Sequence, residues 1–200
     1  PKPAQQVWSD IWPNENVEHS GTNMRSLFLR FKDVFNFICD ERLIISSKKG
    51  YQLNPNLNII TDIDLFENYL EKADKELTVQ AKIELLKKAL SIYKDNLFPT
   101  GGSEHWILST EMKYKYKCLA IYNELMKAYF ETCNYVRVEH YAEEALAIEP
   151  ANEDAYYWLI RVLKMRNSNV MAKGQLHMAK HVLDANEYER LEKRLSEMND

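Results

Sequence analysis

Apolar residues recur at three- and four-residue steps through most of the chain, and the faces they draw divide it into helices. In residues 3–12 a proline stands at the first helical position, and Val7, Trp8, Ile11 and Trp12 form one stripe. The pattern breaks at Pro13-Asn14, runs through polar residues to Gly21 and restarts with Thr22 or Asn23 placed to cap a second helix. In that helix Met24, Leu27, Phe28, Phe31, Val34, Phe35 and Ile38 share one face, while Thr22, Arg25, Ser26, Leu29, Arg30 and Asp33 share the other. After Asp40-Glu41 the signal becomes that of a hairpin. Leu43-Ile44-Ile45 leads into the polar turn Ser46-Ser47-Lys48-Lys49-Gly50, and Tyr51-Gln52-Leu53 returns, with Gly50 supplying backbone freedom at the turn. Helical spacing then resumes. Asp62 caps a stripe of Ile63, Phe66, Tyr69, Leu70 and Ala73, and a helix over 78–97 carries Ile83, Leu86, Leu90 and Tyr93 up to a stop at Phe98-Pro99-Thr100-Gly101-Gly102. Residues 103–133 form one apolar-periodic stretch long enough for a bend, with Trp106, Leu108, Met112, Tyr116, Leu119, Tyr122, Leu125, Met126 and Tyr129 as its apolar positions.

A longer period lies over the C-terminal part. Tyr122, Leu125, Tyr129, Ala142, Ala145 and Pro150 occupy the characteristic positions of one 34-residue helical repeat, and Tyr156, Leu159, Leu163, Ala172, Leu176 and Ala179 continue into a second. Only Asp184 departs, standing where proline is expected. The small Ala172 and Ala179 fall where two helices must approach closely. This is a tetratricopeptide pattern, and stacked repeats of that kind build a binding surface, so a partner is expected before a catalytic pocket. Tyrosines are dense here. Those off the repeat positions, Tyr114, Tyr141 and Tyr157, are the candidates for a partner-binding groove.

Helix, turn, longer amphipathic helix and a lysine-tipped hairpin, in that order, make a winged helix-turn-helix. The run from Ile11-Trp12 through Arg25, Arg30 and Lys32 to Leu43-Ile44 and Gly50-Tyr51-Gln52-Leu53 resembles the C-terminal DNA-binding domain of bacterial response regulators. The helical remainder of the chain, with a tryptophan just after the Gly101-Gly102 loop, resembles the bacterial transcriptional activation domain of the antibiotic regulatory protein family. The resemblance covers nearly the whole chain. It implies that the second helix lies in the major groove and that the Lys48-Lys49 turn is the wing against the backbone. It also implies a bacterial transcriptional regulator whose repeat domain dimerises or contacts the transcription machinery. In that family a small sheet and a helix precede the residues matching 3–12. Either the chain begins inside that domain or the sheet has been lost; a start at Pro1 without Met suggests a cut from something longer, with any receiver lying before Pro1.

The side chains of the second helix suit such a role. Arg25 and Arg30 can donate bidentate bonds to guanine, and Thr22, Asn23 and Ser26 can bond base edges or phosphates. Leu29 can meet a thymine methyl, while Lys32, Lys48 and Lys49 can neutralise phosphate. Asp33, in the middle of the same face, opposes phosphate. The other reading of these residues is a solvated polar face on a module that only caps a protein-binding repeat.

Composition narrows the picture further. With 46% hydrophobic residues, 5 Gly and 6 Pro in 200, the chain is expected to be mainly α: a partial winged helix-turn-helix with a small β-hairpin over 1–58, followed by a tetratricopeptide-like helical repeat domain over 59–200. The net charge of -4 hides a weak asymmetry, since residues 1–60 hold seven Lys and Arg against six Asp and Glu. No apolar run approaches a membrane span, and the three cysteines, Cys39, Cys118 and Cys133, sit at wide spacings on expected helices. Buried thiols, a reducing cytoplasm and no membrane partner are the expectation. Double-stranded promoter DNA is expected as a partner, with RNA polymerase, another protein or a second copy engaging the repeats.

Catalytic signatures are not found in the sequence. His177 and His181 are four apart, the spacing of two imidazoles on one metal, but nothing supplies further ligands, so no metal and no cofactor are expected. His19, His105 and His140 read as surface. The carboxylate pairs Asp62 with Asp64 and Glu143 with Glu144 fall at helix starts or on solvated faces. Gly101-Gly102 lacks the Lys-Ser/Thr and the preceding strand of a phosphate loop. A non-enzyme is expected.

Overall fold

The computed structural model describes residues 1–15, 18, 20–38, 40–94 and 104–197. Among them are the helices α1 (Ala4–Ile11), α2 (Ser20–Phe35), α3 (Asp62–Lys75), α4 (Val79–Ile92), α5 (His105–Glu131), α6 (Tyr135–Ile148), α7 (Glu153–Met165), α8 (Asn169–Val182) and α9 (Ala185–Ser196). Strands β1 (Ile44–Ser47) and β2 (Gly50–Leu53) complete the set, and the chain is mainly helical. It divides into two compact units, one of residues 1–61 with 104–110, the other of residues 62–94 with 111–197. The expected stop at Phe98-Pro99-Thr100-Gly101-Gly102, the thiol of Cys39 and the side chain of His19 lie outside the described residues.

In the first unit, β1 and β2 pair antiparallel with Ile44 opposite Leu53 and Ser47 opposite Gly50. The extended residue Lys2 adds to this hairpin, exchanging backbone hydrogen bonds of 2.8 Å in both directions with Tyr51. Gly50 is required at that junction, because its φ of +121° is left-handed and a Cβ there would stand 2.1 Å from the Lys2 carbonyl oxygen. Asn54 closes the base of the hairpin: its backbone N–H donates to the Leu43 carbonyl and its side-chain amide to the Arg42 carbonyl. Helix α1 packs on α2, burying Trp8, while the indole of Trp106 at the start of α5 donates to the Ile11 carbonyl at 2.9 Å. Helix α2 starts at Ser20, so Thr22 and Asn23 sit inside its first turn and not at its cap.

The second unit holds one continuous core. Phe66, Ala73, Ile83, Leu86 and Ala89 bring α3 and α4 together, and Cys118, Ile121, Leu125 and Met126 of α5 join them to the later helices. Helix α5 runs unbroken over 27 residues. The 34-residue period is written in the backbone itself. Cys133 and Asn167, one period apart, both have φ of 57°. At the first, the N–H of Asn134 reaches the Tyr129 carbonyl and that of Cys133 the Phe130 carbonyl. At the second, Ser168 reaches Leu163 and Asn167 reaches Lys164, with the same distances of 2.8 and 3.0 Å. Each is a Schellman closure, which satisfies the last carbonyls of a helix and turns the chain into the next one. The repeat positions pack as the period requires: Leu125, Ala142, Ala145 and Ala179 are fully buried, and Tyr122, Tyr156, Leu159, Leu163 and Ala172 nearly so. Asp184, the departure from the pattern, caps α9 in a reciprocal box with Glu187. Of the described thiols Cys118 is buried, but Cys133 is exposed, because it stands in the left-handed turn between α5 and α6 and not on a helix.

Candidate nucleic-acid and partner surfaces

Each unit presents concave surface among its described residues. In the first, α2 and the hairpin enclose a groove of about 700 Å³. Arg25, Leu29 and Lys32 enter it from one face of α2, because they lie at three- and four-residue steps, and Lys48 and Lys49 close it from the hairpin turn. Five of the nine residues read as DNA contacts therefore share one wall system. Thr22, Asn23, Ser26 and Arg30 are also exposed, but they lie outside the groove. Phe28 joins the two elements by packing on Tyr51 with ring centroids 4.6 Å apart. Arg42 adds a further cation to the groove and Glu41 one carboxylate.

The apolar face of α2 is covered only in part. Met24 is fully buried and Phe28 and Phe35 half so, whereas Leu27, Phe31, Val34 and Ile38 are exposed. Their spacing identifies a face, but among the described residues of this unit α1 and the hairpin reach only one side of it.

In the second unit the first helices of successive repeats, α5, α7 and α9, line a groove of about 540 Å³. Asn123 is held in it by the Trp158 indole, which donates at 2.7 Å. Glu153 accepts from Arg190 at 2.9 Å and from Arg194 at 2.8 Å, and Arg194 also reaches Asp154 at 2.9 Å. The Arg194 guanidinium lies 4.1 Å over the ring of Tyr157. At the groove's edge Lys115 donates to Glu149 at 2.7 Å, and that bond holds the Glu149 carboxyl below its ordinary range. Asn123, Glu153, Asp154 and Arg194 are not among the residues that the sequence singles out. The period could have found most of them, since Asn123 and Tyr157 occupy one repeat position, Ala120 and Asp154 another, and Glu153 and Glu187 a third.

The three tyrosines assigned to partner binding have different surroundings. Tyr157 is half-buried and supports Arg161 through its hydroxyl as well as Arg194 through its ring. Tyr141 is buried, packed against Tyr129 and Tyr122, and its hydroxyl is pushed up to about 12 by burial and by Tyr129. It is a core residue, which α6 packs against Tyr122 and Tyr129 of α5. Tyr114 donates to Glu67 at 3.0 Å and is likewise pushed up to about 12, first by burial and then by that carboxylate. It ties α5 to α3 and does not line the groove.

His177 and His181 stand with their Nε2 atoms 3.2 Å apart on α8, and no group of three metal-ligating side chains gathers among the described residues. No described helix is long and apolar enough to cross a membrane.

Comparison with known proteins adds three findings. No curated protein matches the chain. Among solved structures it is similar to the C-terminal tetratricopeptide-containing domain of an FK506-binding protein from Plasmodium falciparum, at 18% identity over 70% of this chain and 96% of that one, with a TM-score of 0.46. Residues 61–197, well over half of the sequence, match the bacterial transcriptional activator domain. Because that match spans helices α3 to α9 and more than half of the sequence, the chain belongs to the bacterial transcriptional activator domain family.

Proposed function

We propose that the chain is part of a transcriptional regulator of the antibiotic regulatory protein type, in which residues 1–58 read promoter DNA and the repeats of residues 59–200 engage a protein. The family match supports the regulatory role, and one observation supports the DNA reading: Arg25, Leu29, Lys32, Lys48 and Lys49, picked from an expected helix and an expected hairpin, converge on one exposed surface. In that arrangement α2 enters the major groove, Arg25 and Arg30 address guanine edges, and Thr22, Asn23, Ser26 and Leu29 make the shorter contacts. Lys32, Lys48 and Lys49 neutralise phosphates on either side. The protein partner, the transcription machinery or a second copy, docks in the groove of α5, α7 and α9 around Asn123, Tyr157 and Arg194.

The test is to change Arg25 and Arg30 together to Ala and measure binding to a DNA sequence selected by the unaltered chain. Loss of the specific complex with unchanged circular dichroism supports the reading, since each guanine contact contributes about 1–3 kcal/mol of discrimination. Unchanged affinity overturns it. A second reading, a repeat module whose first unit does not contact DNA, is favoured by the uncovered face of α2 and by Asp33 on its polar side.

A further inference from the structure

Helix α8 carries two apolar faces. Ala172 and Ala179 are buried against α7, and Leu176 and Leu183 pack into the same core. On the opposite side Val170, Met171, Met178 and Val182 are 86, 62, 54 and 38% exposed. These four, with Gly174, His177 and His181, fall within a single arc of about 140° at helical spacing, so they form one stripe and not scattered exposures. Gly174 leaves a notch at the middle of it, where an added Cβ would meet nothing within 4 Å. Val136, one period earlier on α6, is exposed as well.

The charged side chains of α8 itself are of one sign, although Lys173 shares a groove with Glu192 of α9. Helix α8 contains Lys173 and Lys180 and no carboxylate, in a chain with 30 Asp and Glu. Both lysines lie on the same edge of the stripe. Lys180 rests over the Tyr188 ring at 5.9 Å, and no ion pair among the described residues neutralises either.

Two occupants are physically reasonable, and charge decides between them. In an antiparallel pair with a second copy, centred so that Val170 meets the copy's Val182 and Met178 fills its Gly174 notch, Lys173 falls against the copy's Lys180. Like charges across such a seam oppose it. The area argues the same way: the four side chains expose roughly 400 Å², about half of what one partner contributes to a stable interface. A single helix with an apolar ridge and acidic residues along one edge meets both requirements, and flexible methionines adapt to its ridge. We infer that α8 is a docking face for an acidic amphipathic helix of another protein, on the side of the repeats opposite its core contacts. Such docking does not depend on whether α2 reads DNA.

The test uses the whole chain and a labelled synthetic peptide of α8's own length, 14 residues, with Leu on one helical face and Glu along its edges, read by fluorescence anisotropy. An otherwise identical peptide with Lys in place of Glu is the control. The acidic peptide is expected to bind, and the lysine peptide to bind about tenfold more weakly or not at all, the sum of two exposed ion pairs lost. Met178→Asp, at an exposed position, is expected to abolish binding without changing the circular dichroism. The double variant Lys173→Glu with Lys180→Glu is expected to reverse the preference, taking the lysine peptide over the acidic one. Equal binding of both peptides, binding of neither, or a preference unmoved by the lysine exchange overturns the inference. Self-association of the chain at high concentration that Met178→Asp removes also overturns it, in favour of a second copy.

Discussion

Helices α2 and α7 have comparable apolar periodicity and opposite fates. In α7, Ala155, Tyr156, Trp158, Leu159, Ile160, Val162 and Leu163 are all buried, because α6, α8 and α9 surround it. In α2 only Ser20 and Met24 reach that state, and the line Leu27, Phe31, Val34 stays open. Periodicity states which residues share a face; what covers the face is a tertiary fact. Even the buried indole of Trp8, which packs beneath α2, has no hydrogen-bond acceptor for its Nε1 among the described residues. The second unit therefore draws its stability from an interlocked core, and the first from a small cluster, a hairpin and a few backbone closures.

That contrast can be broken by mutation, and the largest effect is expected at the centre of the repeats. Leu125→Ala removes a fully buried side chain and is expected to cost about 2–5 kcal/mol, whereas Leu29→Ala on the open side of α2 is expected to stay within about 0.5 kcal/mol. Denaturant titration of both variants reads the difference directly, and similar losses would contradict the partition. Overpacking comes next. Ala145→Tyr or Ala172→Tyr is expected to destabilise by about 1–3 kcal/mol at close helix contacts, while the same tyrosine at exposed Val34 is expected to leave the melting temperature in place. Asp184→Ala removes the capping box of α9 and is expected to cost about 1 kcal/mol, measurable as a lower urea midpoint.

The smallest effect is electrostatic. Burial raises the Glu67 carboxyl, but hydrogen bonds from Lys117 and Tyr114 outweigh it and hold the group below its ordinary 4.5. A carboxyl depressed in the folded state stabilises above that value and loses its contribution as the pH falls through the folded one. Tyr114 works in the other direction. Raised from 10.0 to about 12, it favours the folded state below pH 10, and that contribution is lost as the pH rises through about 12. Melts recorded from neutral pH into acid should fall more steeply for the unaltered chain than for Glu67→Gln, and parallel curves would mean that the Glu67 carboxylate contributes nothing to stability.

The repeats are legible in the sequence because 34-residue spacing constrains many residues at once, and Tyr122, Leu125, Ala145, Tyr156, Leu159 and Ala179 all pack as their positions require. The hairpin is legible from Gly50 and the flanking apolar runs. The closure at Cys133 is not, since cysteine carries none of the left-handed preference that marks Asn167, and only the period links them. Tyr114 and Tyr141 depart from expectation for a related reason. A tyrosine between repeat positions looks free in sequence, but a hydrogen bond to Glu67, 47 residues away, and stacking on Tyr129 hold them inside. Glu187, three residues after Asp184, is the visible sign of α9's cap, and the groove residues Glu153 and Arg194 meet only when α7 and α9 are folded together.

The proposal that α2 and the hairpin read DNA is open to selection from a genomic DNA pool at low and moderate salt. The expected result is an enriched sequence whose affinity falls steeply as salt rises, the mark of released phosphate counterions, with a shallower fall for Lys48→Ala combined with Lys49→Ala. No enrichment at either salt would contradict it and leave the repeats as the functional surface.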